Sequence, residues 1–519
     1  MTILLEGLKS MIPILFAVIY FGFFSVLFGT ISIRKQRNAA TGDGGSGKSF
    51  FTASGQIGWI AFMCAFTLAP LGGGHTTALI EQQFGMGAAV AWWGILGGGV
   101  FVPIFLLFIA PWFRKLNSRY GIVTFPQATE KLFGSKMKVV NTSLSPAGWL
   151  GITMSELLGT ATCIYALTAG RLAFAPWCVI IAGALMLIYV LFGGILQASY
   201  MGVINAIVLI VGAYIAVSVA IHNVQDGAAG VYAALAASGN EWHTNIFHLT
   251  PVVLMNVAIP MIVQHVLSVS SEQCMYQPVM AVKDNHSMRR GALIGGLINT
   301  AACLPFVILS VIAQSIPSIA ADTPLLAVSN LALQALPQIM IGLLIVSLLA
   351  ALLSTGSGML LATSQVIIDD LICPIVNKKP GDKGYLGISR GCIIVLLLAC
   401  LLPAMKVSLL ITLFMWCFAI SMPIMVNYMF GMCWRINRKA AWITVIVCTA
   451  VNFWWTFACP PWAGLFTLPF WPVAFVSLGL GAILLAVMPG WEKGLLRQMK
   501  DMEKAEKEEL AALKAKMNA

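Results

Sequence analysis

Apolar stretches long enough to cross a lipid bilayer recur along the whole chain, and no other feature limits its folding so severely. A hydrocarbon core takes about twenty apolar residues of helix, and backbone groups inside it find no water, so spanning segments must close their own hydrogen bonds. Such windows lie near residues 10 to 32, 57 to 80, 87 to 112, 142 to 169, 174 to 195, 200 to 222, 250 to 270, 291 to 315, 338 to 366, 389 to 404, 408 to 433, 440 to 458 and 466 to 488. They predict an all-α polytopic membrane protein with 13 transmembrane helices. Only 9% of residues are charged, against about 25% in a soluble domain.

Basic residues orient the helices. With the N-terminus outside, 27 of the 30 Lys and Arg residues fall in cytoplasmic segments, leaving only Lys9, Arg171 and Lys406 outside. This is the asymmetry that cytoplasmic loops carry, and it predicts a cytoplasmic C-terminus. The net charge of +11 then follows from topology and an anionic inner leaflet, with no need for nucleic acid. The first apolar segment is followed by its positive cluster and reads as a retained helix, not a signal peptide. Twelve cysteines are scattered without a CxxC pair and read as small buried apolar residues.

One predicted helix cannot be regular. Within residues 57 to 80 the run Ala69-Pro70-Leu71-Gly72-Gly73-Gly74-His75 combines a proline, which lacks a donor, with three glycines, which shield nothing. Opened backbone at that depth is tolerated only inside protein or beside a polar cavity, so an interrupted helix marks a candidate binding site. A kinked helix with glycines packed on a neighbour is the plainer alternative. In the ninth predicted helix the hydroxyls of Ser354 and Thr355 offer neutral oxygen ligands for a hard monovalent cation, which carbonyls of an opened helix could complete, although small residues also serve close helix packing.

Charged groups in lipid are costly and usually functional. Of nineteen acids, Glu156 alone falls near the centre of a predicted helix, and Glu81 lies near the end of the interrupted one. His75 and His265 are the histidines inside spans, each in a helix carrying an interrupting proline, Pro70 or Pro260. Glu156 could equally be a neutral packing residue, and each histidine could simply satisfy a carbonyl. Residues 42 to 49 match the phosphate-loop pattern GxxxxGK[ST], but they link two membrane segments instead of a strand and a helix, and read as a flexible connector. The tail from Trp491 to Ala519 alternates Glu and Lys at helical spacing and reads as a charged cytoplasmic helix.

Several longer motifs carry a family resemblance. They are Arg119-Tyr120-Gly121 with Thr124 and Pro126, Tyr189 to Ser199, Glu272 to Gly291, and Ala350 to Asp370. With these the chain resembles the sodium:solute symporter family over most of its length. The resemblance implies a LeuT-like architecture in one transmembrane domain, residues 1–490: a leading helix (10–32), two inverted five-helix repeats (about 57–222 and 250–433) and two trailing helices (about 440–488), with the tail at 491–519. The breaks near Pro70 and Pro260 sit at corresponding places in the two repeats. It also implies a Na⁺ held by the side chains of Ser354 and Thr355 and the carbonyls of Ala351, Ala69 and Gly72. Two departures stand out: Leu71 replaces an aspartate common in the family, and Met201 and Gly202 replace a Thr-Asp pair, with Asn205 where glutamine is common. The missing carboxylate at Gly202 counts against a second Na⁺ site.

The resulting expectation is a Na⁺-coupled importer of a small organic solute, working by alternating access in the plasma membrane (the inner membrane if bacterial). It is not an enzyme, and no cofactor, nucleic acid or obligate protein partner is expected. Gly73 and Gly74 would present backbone amides to an anionic group of the solute, with His75, Glu156 and His265 as polar contacts; Trp416, like Trp92 and Trp93, could form an aromatic wall, although interfacial anchoring or packing is the plainer role for each. A carboxylate or amino acid is the favoured solute, and a quaternary ammonium compound the aromatic alternative. Proton coupling on the same scaffold is the nearest rival, because Glu156 and His75 remain titratable. A symporter-like sensor is disfavoured by the roughly thirty residues after the last predicted helix, and a channel by the lack of a filter-like loop.

Overall fold

The computed structural model describes residues 2–39, 50–51, 57–72, 77–191, 194–378, 384–406, 410–458, 472–490, 492–501, 504 and 508. Its principal helices are α1 (Thr2–Ala39), α2 (Trp59–Leu71), α3 (Leu79–Met86), α4 (Val102–Tyr120), α5 (Phe125–Phe133), α6 (Ser135–Leu167), α7 (Val179–Val190), α8 (Gly194–Asn223) and α9 (Gly227–Ala237). They continue with α10 (Ile259–Val269), α11 (Gln273–Ala281), α12 (Asn285–Gln314), α13 (Ala327–Ala335), α14 (Gln338–Ile367), α15 (Tyr385–Ala404), α16 (Leu410–Cys433), α17 (Arg438–Ala458) and α18 (Ser477–Val487). A short antiparallel pair, β1 (Arg435–Ile436) with β2 (Glu492–Lys493), joins the end of α16 to the tail.

Among the described residues, eight helices are long and apolar enough to cross a membrane: Met11–Arg34, Ala88–Tyr120, Ser135–Leu167, Gly194–Asn223, Asn285–Gln314, Gln338–Val376, Tyr385–Ala404 and Leu413–Cys433. Of the other expected windows, 57 to 80 is interrupted, 174 to 195 and 250 to 270 fall on shorter helices, 440 to 458 falls on the 21-residue helix α17 outside that set, and 466 to 488 lies partly outside the described residues. Burial separates interior from lipid-facing elements. The apolar window of α6 is 83% buried and that of α1 only 28%, so α6 runs through the core and α1 lies on its outside. Helix α14 is the other interior axis and packs against α8, α6, α1 and α2.

Helix α2 ends at Leu71 with Gly72 as its cap, and the chain is helical again from Thr77 into α3. Ala69 and Pro70 still belong to α2, so the interruption follows the proline instead of including it. Residues 73 to 76 lie outside the described set, and with them Gly73, Gly74 and His75.

The second interruption is not at Pro260. That proline sits in the first turn of α10, just after a π-helical turn at Leu254–Ala258, and the helix passes through it. A widened turn of this kind accepts a ring with no N–H without breaking the helix. The break comes ten residues later, at Ser270 to Glu272, between α10 and α11. Hydroxyls take up the carbonyls freed there: Ser271 Oγ donates to Ser268 O at 2.7 Å, and the Tyr276 hydroxyl donates to Ser270 O at 2.6 Å. Residues 273 to 281, expected to lie in a loop, are therefore a buried half-helix.

The two interrupted helices are joined to each other. Ile57 N donates to Ala281 O at 2.9 Å and Lys283 N donates to Ile57 O at 3.1 Å, so the start of α2 is laced to the end of α11. Arg114 of α4 closes the same junction by donating to the carbonyls of Val279 and Val282, each at 2.8 Å.

Candidate functional site

The crossing of α6 and α14 lies against the first break. Small residues make it close: a methyl placed on Gly159 of α6 would stand 2.6 Å from Leu352 Cδ2, and one on Gly356 of α14 would stand 2.8 Å from Glu156 Cβ. Gly72, at the end of α2, points into this crossing. A Cβ there would lie 2.5 Å from Glu156 Oε1 and 2.5 Å from Thr355 Oγ1, so those two oxygens are no more than about 5 Å apart. Thr77, where the chain resumes, faces the same crossing, with its Oγ1 3.4 Å from where a Cβ on Gly159 would stand. Both sides of the break thus abut the same pair of helices.

Three expected site residues are brought together in this way: Gly72, Glu156 and Thr355. Glu156 is 1% exposed and Thr355 is buried. Ser354 and Ala351 lie on the same turns of α14, Ala351 fully buried and Ser354 half-buried. Ala69 is in the last turn of α2. An oxygen-rich junction between a helix end and two helix faces suits a hard monovalent cation, which takes carbonyl and hydroxyl ligands.

The remaining candidates stand elsewhere. His265 of α10 is edge-on to Trp93 at 5.7 Å and to Phe418 of α16 at 6.1 Å, in aromatic surroundings. Trp416 is 41% exposed, stacks edge-on with Phe453, and donates from Nε1 to Ala147 O at 3.1 Å. Trp92 donates to Ile246 O and rests on Phe247. Trp93 is fully buried, and Glu81 is buried in the first turn of α3.

Sequence reading misses a polar stripe on α10 and its break. Gln264, Ser268 and Glu272 follow one another at intervals of four, which keeps Gln264 and Ser268 on one face leading to the break. All three are buried, and Glu272 opens α11. Its Oε2 accepts from Cys274 Sγ at 3.5 Å. The side chains of Gln264 and Ser268 make no hydrogen bond among the described residues. The signal is the polar run Ser268 to Gln273, which straddles the end of the predicted window 250 to 270.

The long motifs converge on a second polar cluster, where α5, α11 and the end of α14 meet. Thr124 caps α5 by accepting from Gln127 N, and its hydroxyl donates to Asp370 at 2.6 Å. Gln127 Nε2 donates to the same carboxylate at 2.8 Å, and Lys138 stands 3.8 Å from it. Gln273 and Gln277 of α11 both donate to Gln365 Oε1, at 3.0 and 2.8 Å, while Asp369 accepts from the Tyr385 hydroxyl.

Comparison with known proteins bears on the fold and the family. Residues 50–448 match the sodium:solute symporter family. A sodium/glucose cotransporter of Vibrio parahaemolyticus is 20% identical over 388 residues, 69% of each chain. Among solved structures, a Na⁺-coupled sialic acid symporter in a substrate-bound outward-open state superposes with a TM-score of 0.69 at 15% identity, covering 91% of this chain and 98% of that one. MhsT in complex with L-phenylalanine gives 0.55 at 14% identity, over 83% of this chain and 99% of that one. A nucleobase-cation-symport-1 family transporter in a closed conformation with bromovinylhydantoin bound gives 0.54 at 15% identity, over 85% and 95%. These neighbours carry the LeuT-type fold, and this chain shares it. The match across most of its length makes the chain a member of the sodium:solute symporter family.

Proposed function

We propose that this protein imports a small organic solute across the plasma membrane together with Na⁺, by alternating access. The observation that carries the reading is the wedge of Gly72 against Glu156 and Thr355, which puts a helix end, a hydroxyl and a carboxylate at one junction. Na⁺ would be held by Ser354, Thr355 and the Ala351 carbonyl on α14, and by the Ala69 and Gly72 carbonyls on α2. An ion shared between two helices favours the arrangement in which they are close, so its binding biases the transporter between states. A membrane potential of 100 mV is worth about 2.3 kcal/mol per charge, enough to concentrate a neutral solute roughly fiftyfold per Na⁺.

An amino acid is the solute class we favour. Backbone amides at the break, with Gly73, Gly74 and His75, would face its carboxylate, and the buried acids Glu156 and Glu272 would face its ammonium group. Gln264 and Ser268 supply buried polar atoms for the rest of the molecule, and His265 and Trp416 complete the assignment. Thirteen helices in two inverted repeats, with the N-terminus outside, remain the topology we infer.

A thermal-shift panel of amino acids, carboxylates, sugars and ammonium compounds, with and without Na⁺, tests the class, because a bound solute stabilises in proportion to its affinity and concentration. Stabilisation by an amino acid that grows with Na⁺ is the expected result; stabilisation by sugars alone would remove the solute assignment. Glu156 beside the break favours one second reading, proton coupling. Undiminished uptake into Na⁺-free liposomes under a pH gradient would establish it in place of Na⁺.

A further inference from the structure

A buried hydrogen-bonded chain runs from the leading helix to α14. The Tyr20 hydroxyl of α1 donates to Asn205 Oδ1 of α8 at 2.9 Å. Asn205 Nδ2 donates to the Tyr189 hydroxyl of α7 at 2.6 Å and to the Ala350 carbonyl of α14 at 3.1 Å. Tyr189 in turn shares a hydrogen bond with the hydroxyl of Ser354. Four helices thus meet through one asparagine, and Tyr20, Asn205 and Tyr189 are all buried.

Chemistry sets the direction of the links through Asn205. An amide oxygen only accepts, so Tyr20 is the donor to Asn205, and an amide nitrogen only donates, so the Tyr189 oxygen accepts. Between the hydroxyls of Tyr189 and Ser354 either oxygen can donate, and both roles are lost when the Tyr189 hydroxyl is removed. The surroundings offer few competitors, since Tyr189 shares with Phe21, Leu349 and Leu353 the wall of an apolar cavity of about 470 Å³. Low local polarity strengthens such a chain and makes an orphaned member costly.

We propose that Tyr189 and Asn205 are positioning residues for the coupling cation. By fixing Ser354 from behind, they hold its oxygen toward the break, and Tyr20 locks Asn205, so the leading helix sets cation affinity from outside the ion's own shell. The inference rests on the reading of Ser354 and Thr355 as Na⁺ ligands. It assigns a role to Asn205, which lies on α8 close to Met201 and Gly202, the positions where the family resemblance leads one to expect a Thr-Asp pair.

The test is equilibrium binding of radioactive Na⁺ to the purified full-length protein, with heat stability in Na⁺-free buffer measured alongside. Tyr189→Phe and Tyr20→Phe keep the rings and remove one hydroxyl each. Each is expected to weaken Na⁺ binding to the folded protein by about threefold to tenfold, the range of one lost hydrogen bond, and to lower Na⁺-free stability because buried Asn205 loses a partner. Tyr189→Phe added to Ser354→Ala should weaken binding no further than Ser354→Ala alone, a coupling that a merely structural role would not produce. If Thr355→Ala weakens binding while both tyrosine variants bind as the wild type does, or if the double variant shows the product of two independent losses, the positioning role is wrong and the Na⁺ site stands. If Ser354→Ala and Thr355→Ala both leave Na⁺ binding unchanged, the site itself is wrong and the positioning role falls with it. Should Tyr189→Phe not fold, Tyr20→Phe on the outer helix decides between the same outcomes.

Discussion

Gly72 and Thr355 approach so closely that a single added methyl on the glycine would lie 2.5 Å from the threonine oxygen and 2.6 Å from its Cβ. The Thr355 Cβ is fixed to the backbone of α14 and cannot swing away, and Glu156 Oε1 stands equally close to the same point. Gly72→Ala is therefore expected to cost about 1–3 kcal/mol of stability and to abolish Na⁺ binding. Gly358→Ala, on the same helix α14 with open space at its Cβ, should be tolerated. Heat stability and Na⁺ binding of the two purified variants, side by side, check both halves.

Thr355→Ala removes a buried hydroxyl at the junction without changing the helix. Na⁺ affinity should fall at least threefold, while any solute binding measured at saturating Na⁺ is restored. A Na⁺ titration of heat stability reads this, and an unshifted curve would remove Thr355 from the site.

Glu156→Gln separates the coupling ions, since the amide keeps the shape of the carboxylate and cannot carry a proton. Na⁺-driven uptake should survive with altered solute affinity. Were protons the coupling ion through Glu156, the variant would lose uptake driven by a pH gradient, and exchange without a gradient would persist.

Asp370 joins α5 to the end of α14 through Thr124, Gln127 and Lys138. Asp370→Ala leaves the buried Thr124 hydroxyl and the Gln127 amide without their acceptor, while Lys138 keeps Glu130 at 2.9 Å, and should loosen that end of the bundle. Cys373, three residues on and 5% exposed, is the reporter. Its labelling by a maleimide, followed by mass spectrometry, should be faster in the variant than in the wild type.

Much of this architecture is legible in the chain because bilayer-length apolar runs have few alternatives. The first break is equally plain, since Pro70 and a glycine triplet cannot continue a lipid-exposed helix. The second is not. Ser270, Ser271 and Glu272 carry no glycine or proline, and their hydroxyls satisfy the opened backbone locally, whereas Pro260 is a decoy absorbed by a π-turn. Glu272 escapes notice for the same reason, because a polar run without a breaker reads as a loop. The meeting of Gly72, Glu156 and Thr355 depends on helix crossings that local periodicity does not encode, and so does the link from Tyr20 to Asn205, residues 185 positions apart.

Two backbone hydrogen bonds, from Ile57 to Ala281 and from Lys283 to Ile57, tie the two interrupted helices together at that end. A tilt of either would drag its partner along, as two oars lashed at the handle must swing together. Whatever ligand bends one half-helix therefore reports its presence to the other, and the cation and the solute gain a common lever without touching.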